Sequence, residues 1–144
     1  MRLFLGLGVA LAIGASVPGN AFGQVPEIPD YTLNDIARVQ MTPQGPIILW
    51  NPNVCRALGI NACRFMRLHE YGHIVNGDQF GSTFPPLAEM RADCFAAQNA
   101  PLHEFNAAVV MFRRQGSGGD AAHGTGFQRA QRIIDMRFSR NCHW

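Results

Sequence analysis

His69-Glu70-Tyr71-Gly72-His73 sets two imidazoles four positions apart with a carboxylate next to the first. On a helix this spacing puts both rings on one face, one turn apart, close enough to hold one metal ion. A metal centre that does chemistry uses three protein ligands and leaves a position for water, so a third ligand is needed. One solution is a His six residues after the second, but Gln79 stands there and Asn76 fills the place of the required glycine. The other solution is a Glu from a following helix. Residues 89–93 read Glu-Met-Arg-Ala-Asp, which puts Glu89 and Asp93 one turn apart on a shared face. Glu89 can supply the carboxylate ligand. Asp93 can accept a hydrogen bond from the outer nitrogen of a ligand His and fix its orientation. Zn2+ is the ion this donor set suits.

The elements that must carry these residues can be read from punctuation and period. Thr42-Pro-Gln-Gly-Pro46 is turn chemistry, and Ile47 to Trp50 is a compact apolar run that predicts a buried or half-buried strand. Tyr31 to Met41 reads as a short helix or strand, and Asn51 to Asn61 as a loop or short helix. Phe65, Leu68, Tyr71 or Gly72, and Val75 recur at helical intervals, so a helix is predicted from Cys63 to Val75 with Asn76-Gly77 as its stop. A second helix should start at Pro85-Pro86, capped by Ser82 or Thr83, and end near Asn99. A third opens after Pro101 with Leu102, Phe105, Val109 and Phe112 as its apolar face, ending at Gly116. The glycine-rich stretch from Gln115 to Gly126 predicts a loop. A last helix follows from Phe127 to Ser139 with Phe127, Ala130, Ile134 and Phe138 inward. Trp50 and the Phe set are expected in the core first and at a substrate pocket second; His103 and His143 are expected at the surface.

With 144 residues the chain accommodates one domain. Residues 1–23 read as a secretory signal: Arg2, an apolar stretch from Leu3 to Val17, and small residues in Pro18-Gly-Asn-Ala-Phe-Gly23. The apolar stretch is shorter than the roughly 18 residues of a membrane span, and no later segment qualifies. Residues 24–144 are therefore expected as one exported domain, secreted or periplasmic, with no membrane span after signal removal. Net charge is +2 with no long basic run, which argues against nucleic-acid binding. Cys55, Cys63, Cys94 and Cys142 form an even set, which in a small exported chain favours disulfides. Of three connectivities, Cys55–Cys63 with Cys94–Cys142 is the expected one: a short loop, and a tie from the C-terminal tail to a central helix. A cysteine zinc site lacks the close spacing such sites use.

H-E-x-x-H followed by E-x-x-A-D resembles the gluzincin metallopeptidases, and among them the family of membrane-bound heat-shock and prenyl-protein proteases. That family carries a later His followed six residues on by an Arg. His123 and Arg129 stand at this separation in HGTGFQR, with Gly124 where the family has Pro. The resemblance runs from about Cys63 to Ile134 and does not include the family's membrane helices. It implies an α+β, zincin-like fold in which a short sheet packs on the metal-binding helix and a mostly helical C-terminal part follows. It implies zinc held by His69, His73 and Glu89, with Glu70 as general base toward zinc-activated water and carrier of the proton to the leaving amine. His123 would steady the charge on the attacked carbonyl oxygen. Arg129 would either position His123 or add positive charge. The strand Ile47 to Trp50 would hold an extended peptide or protein substrate by backbone pairing.

The expectation is an exported zinc metallopeptidase. The alternative is a catalytically weak or inactive zinc-bearing binding module stapled by its disulfides. A stapled domain with no metal is the third reading.

Overall fold

The computed structural model describes residues 25–78, 84–139 and 142. The expected signal over 1–23 lies outside these residues, as do the proposed caps Ser82 and Thr83 and the tail residue His143. Among the described residues the chain is mixed α+β, a small sheet leading into a helical bundle. No described helix is long and apolar enough to cross a membrane.

Strands β1 (Glu27–Pro29), β2 (Ala37–Thr42) and β3 (Gly45–Trp50) form one sheet in the order β1-β3-β2, with β1 parallel and β2 antiparallel to β3. Tyr31 to Met41 thus resolves into a turn and a strand. Pro43-Gln44 makes the hairpin, closed by Thr42 Oγ1 donating to the Gly45 carbonyl at 2.7 Å. Gly45 has φ of 122°, a conformation glycine adopts without penalty.

The expectation that Ile47 to Trp50 pairs a substrate is overturned, because β3 is the central strand. Its Ile48 N–H bonds the Pro26 carbonyl at 2.9 Å, beside β1. Val39, opposite Ile48, therefore turns its own N–H away from β3. By the two-residue period, Ala37, Val39 and Met41 present their backbone groups along the outer edge of β2. The free edge of this side of the sheet is β2.

Helices α1 (Pro52–Leu58) and α2 (Ile60–Asn76) follow. Asn51 caps α1: its side-chain oxygen accepts from Asn53 N at 2.8 Å, and its amide donates to the Leu33 carbonyl at 2.8 Å. Cys55 pairs with Cys63, tying α1 to the first turn of α2. Helices α3 (Pro85–Asn99) and α4 (Leu102–Gln115) flank α2, and α5 (Gly126–Ser139) packs on both. Between α4 and α5 the glycine-rich turn carries two short strands, β4 (Gly119–Asp120) and β5 (Gly124–Thr125). Cys142 pairs with Cys94 of α3.

The core centres on Phe65 of α2, whose ring meets Phe105 and Phe112 of α4 edge to face at 6.4 Å. Ile133 and Met136 of α5 and the Ala96-Ala97 pair of α3 complete it. Two predicted faces need correction. Leu102 is exposed on α4, and on α5 Phe127 and Phe138 are exposed while Arg129, Ala130, Ile133 and Met136 are buried. The reason is Arg129: its buried ion pair rotates the helix so that a charged residue faces inward.

Gly72 sets how close α2 and α3 come. A Cβ there would lie 2.9 Å from the Ala92 Cα and 3.0 Å from the Phe95 Cβ. Gly72→Ala is expected to destabilise the fold by about 1–3 kcal/mol through overpacking. It should also shift Glu89 and Asp93 relative to α2, because Ala92 lies on α3 between them. A thermal midpoint equal to the parent's would show that the interface yields and that the close approach is dispensable.

Candidate metal centre

Helix α2 buries a polar face as well as an apolar one. Phe65 and Met66 point to the core, and one turn on His69 and Glu70 are 2% and 8% exposed. Gly77 stops the helix in the left-handed region, φ 74°, with its N–H bonded to the His73 and Ile74 carbonyls. That turn brings Asp78 back to His73.

His69, Glu70 and His73 each offer a ligand atom, all within 4.8 Å of one another, so the group could hold a metal ion. The two ring atoms that converge are both Nε2, 3.1 Å apart. Glu89 of α3 joins them: its Oε2 lies 3.0 Å from His69 Nε2 and its Oε1 3.5 Å from His73 Nε2. Glu70 differs from Glu89 in how it is tied, since its Oε2 accepts the Val39 N–H of β2 at 3.1 Å. That bond fastens the sheet edge to the motif helix.

Behind the His69 ring, Nδ1 is 2.9 Å from Asp93 Oδ1. Asp93 is fully buried and receives Arg129 through Nη2 at 2.7 Å and Nε at 3.0 Å, and Arg132 Nη2 at 2.9 Å. The Arg129 guanidinium lies over the Phe112 ring at 4.4 Å. Arg129 thus bonds Asp93 directly, where the sequence left open whether it positions His123 or adds positive charge. Behind the His73 ring, Nδ1 is 3.3 Å from Asp78 Oδ2, and Arg91 stands 3.5 Å from the other Asp78 oxygen.

His123 enters from the turn between β4 and β5. Its Nε2 is 2.8 Å from Glu89 Oε2, and its Nδ1 is 2.8 Å from Asp120 Oδ1. Arg132 reaches the His123 carbonyl at 3.0 Å. Asp78, Asp120 and Arg132 were not singled out from sequence. Asp78 had a readable signal in the Asn-Gly stop that precedes it, and Asp120 in its three-residue offset from His123. Arg132 had none.

Electrostatics follow this geometry. Burial disfavours a charged His69, yet its hydrogen bonds to Asp93 and Glu89 push it up to about 9. Burial also opposes the ionised forms of Glu89 and Asp93. It is overcome by the three imidazoles around Glu89 and by Arg129 beside Asp93, so both carboxyls lie well below the usual carboxylate range. Burial raises Glu70, against the pull of His69 and His73. The Glu89 contact raises His123, and the His123 backbone and ring lower Asp120. Positive charge is favoured where the Nε2 atoms meet Glu89.

These groups line a cleft of about 650 Å³ whose walls include Ile36, Ala37 and Arg38 from the β2 side, Met66, Phe112 and Gly119. Phe112 is the member of the Phe set that reaches it, while Trp50 stacks on Arg67 with 4.8 Å from ring centre to guanidinium carbon. His103 is exposed at the surface beside Glu104. Comparison with known proteins finds no matching family model, no similar curated protein and no similar solved structure.

Proposed function

We propose that the chain is an exported, zinc-dependent metallopeptidase of zincin-like fold, related in its site to the heat-shock and prenyl-protein proteases. The observation that carries this reading is the convergence of His69 Nε2, His73 Nε2 and the Glu89 carboxylate at 3.0–3.5 Å. Tetrahedral zinc with bonds of 2.0–2.1 Å separates its ligand atoms by about 3.3 Å, so two imidazoles and a carboxylate at these spacings fit the ion. Asp93 and Asp78 support the ligand rings from behind, the arrangement that fixes tautomer and orientation in metal sites. Export is supported by the two disulfides, which persist in oxidising compartments.

Zinc held there supplies Lewis acidity toward a peptide carbonyl oxygen and lowers the pKa of water. The chain's residues do the rest. The outer edge of β2 pairs an extended peptide through the backbone groups of Ala37 and Met41 and the Val39 carbonyl, the Val39 N–H being held by Glu70. Glu70, lining the cleft, takes a proton from the attacking water and delivers it to the leaving amine. His123 donates to the oxygen on which charge develops.

The first test is zinc per chain in the protein produced with both disulfides formed, beside Glu89→Ala. About one zinc in the parent, weakened or lost in the variant, is the expected result. No zinc in the parent would end the reading and leave a stapled domain. Chelator-sensitive cleavage of a broad peptide pool would exclude the binding-module alternative.

A further inference from the structure

We infer, resting on the zinc reading above, that His123 is a fourth ligand in the resting protein. The glycine-rich turn between α4 and α5 is then the arm that delivers it and withdraws it. A site with four protein ligands is closed, whereas a working one keeps a position open. The resting site is thus latched, and peptide binding must displace His123, whose freed Nε2 takes a proton from solvent before it can donate to the developing oxyanion.

Three imidazoles at this site are arranged alike. His69, His73 and His123 turn Nδ1 to a carboxylate, Asp93 at 2.9 Å, Asp78 at 3.3 Å and Asp120 at 2.8 Å. Each aims Nε2 at Glu89, at 3.0, 3.5 and 2.8 Å. A carboxylate on the outer nitrogen is the ordinary support of a metal-ligating His. When Nδ1–H donates to Asp120, Nε2 carries a lone pair facing a carboxylate oxygen. Two bare acceptors at 2.8 Å repel, so a proton or a metal ion lies between them. His123 has the shortest of the three contacts to Glu89, and it is mounted on a turn with its side chain 31% exposed, where the other two rings are helix-borne and more buried.

That mounting allows movement. Gly116, Gly118, Gly119, Gly124 and Gly126 surround Asp120 and His123, and Gly116 and Gly124 take positive φ of 60° and 75°. The His123 side chain is 31% exposed, so side-chain contacts dock the arm more than burial does. One of those contacts is Arg132, whose Nη2 bridges the His123 carbonyl and Asp93. The arm is thereby fastened to the same carboxylate that supports His69.

The test uses the whole disulfide-bonded chain with Zn2+ and Co2+ as probes. Zinc affinity is measured by competition with a chromophoric chelator, and the cobalt visible spectrum is recorded with and without azide, in parent, His123→Ala and Asp120→Asn. Loss of His123 should weaken zinc at least as much as loss of a supporting partner, about 10–100-fold. It should also shift the cobalt spectrum and make it azide-sensitive, as a newly opened position requires. Asp120→Asn, far less disruptive to folding, should weaken zinc in the same direction. If His123→Ala binds zinc as tightly as the parent, with the same spectrum and azide response, the fourth-ligand inference fails and the 2.8 Å contact is a shared proton. That outcome leaves the three-ligand reading standing, whereas a parent that binds neither ion ends both.

Discussion

On the proposed zinc-peptidase reading, Glu70→Gln should keep the metal and lose hydrolysis. Zinc content by atomic emission should equal the parent's, while cleavage of a peptide pool should fall by at least about 10²–10⁴-fold, the usual contribution of a positioned general base. The substitution is chosen for what it leaves in place. Glu70 accepts the Val39 N–H through Oε2 at 3.1 Å, and a glutamine carbonyl oxygen can accept the same bond. The link between the edge of β2 and the motif helix therefore survives. The ligand atoms of His69, His73 and Glu89 are untouched, so ion affinity should hold. What disappears is the capacity to take a proton and pass it on. Undiminished cleavage at equal zinc would remove Glu70 from the chemistry. Loss of zinc together with activity would assign Glu70 to the ligand set instead, an arrangement its closeness to His69 and His73 also permits.

How much of this could be read from the chain depends on what kind of constraint each residue imposes. The bounds of α3 follow from proline: Pro85-Pro86 begin it, and Pro101 stands just beyond its Ala100 cap. His69, His73, Glu89 and Asp93 were readable because helix geometry turns spacing into direction. The face of α5 was not, since periodicity assumes that apolar residues point inward and Arg129 does so in their place. Nor was the edge position of β2. Strand order depends on β1, a three-residue Glu-Ile-Pro segment with no alternation to betray its pairing. Asp78 reaches its imidazole through a turn, where the positive φ of Gly77 decides the direction and spacing alone does not. Arg132 acts across α3 and the glycine turn together, and only tertiary structure joins those.

Asp93→Ala should cost more stability than any other single change at the site. Asp93 is fully buried and takes hydrogen bonds from two guanidinium groups while standing 2.9 Å from His69 Nδ1. Without it, the buried Arg129 keeps its charge over Phe112 with no anion to meet it. Breaking one side of such a pair costs about 3–5 kcal/mol, against a total of about 5–15 kcal/mol for a typical domain. Thermal unfolding should move down by roughly 10–20 °C. Zinc affinity should fall as well, by about 10–100-fold, because the His69 ring loses the partner that fixes it. The two effects are separable. A buried ion pair replaced by apolar side chains of similar volume is often neutral for stability, so Asp93→Leu with Arg129→Met should recover much of the lost melting temperature. Arg132, partly exposed, can turn toward solvent in that variant. Zinc affinity should stay low, since neither new side chain can hold the His69 nitrogen. If the double variant regained parental affinity, Asp93 would be a structural anion only. A single variant that melts within a few degrees of the parent would show that Arg129 finds another partner, and the buried pair would lose its place in the account of the site.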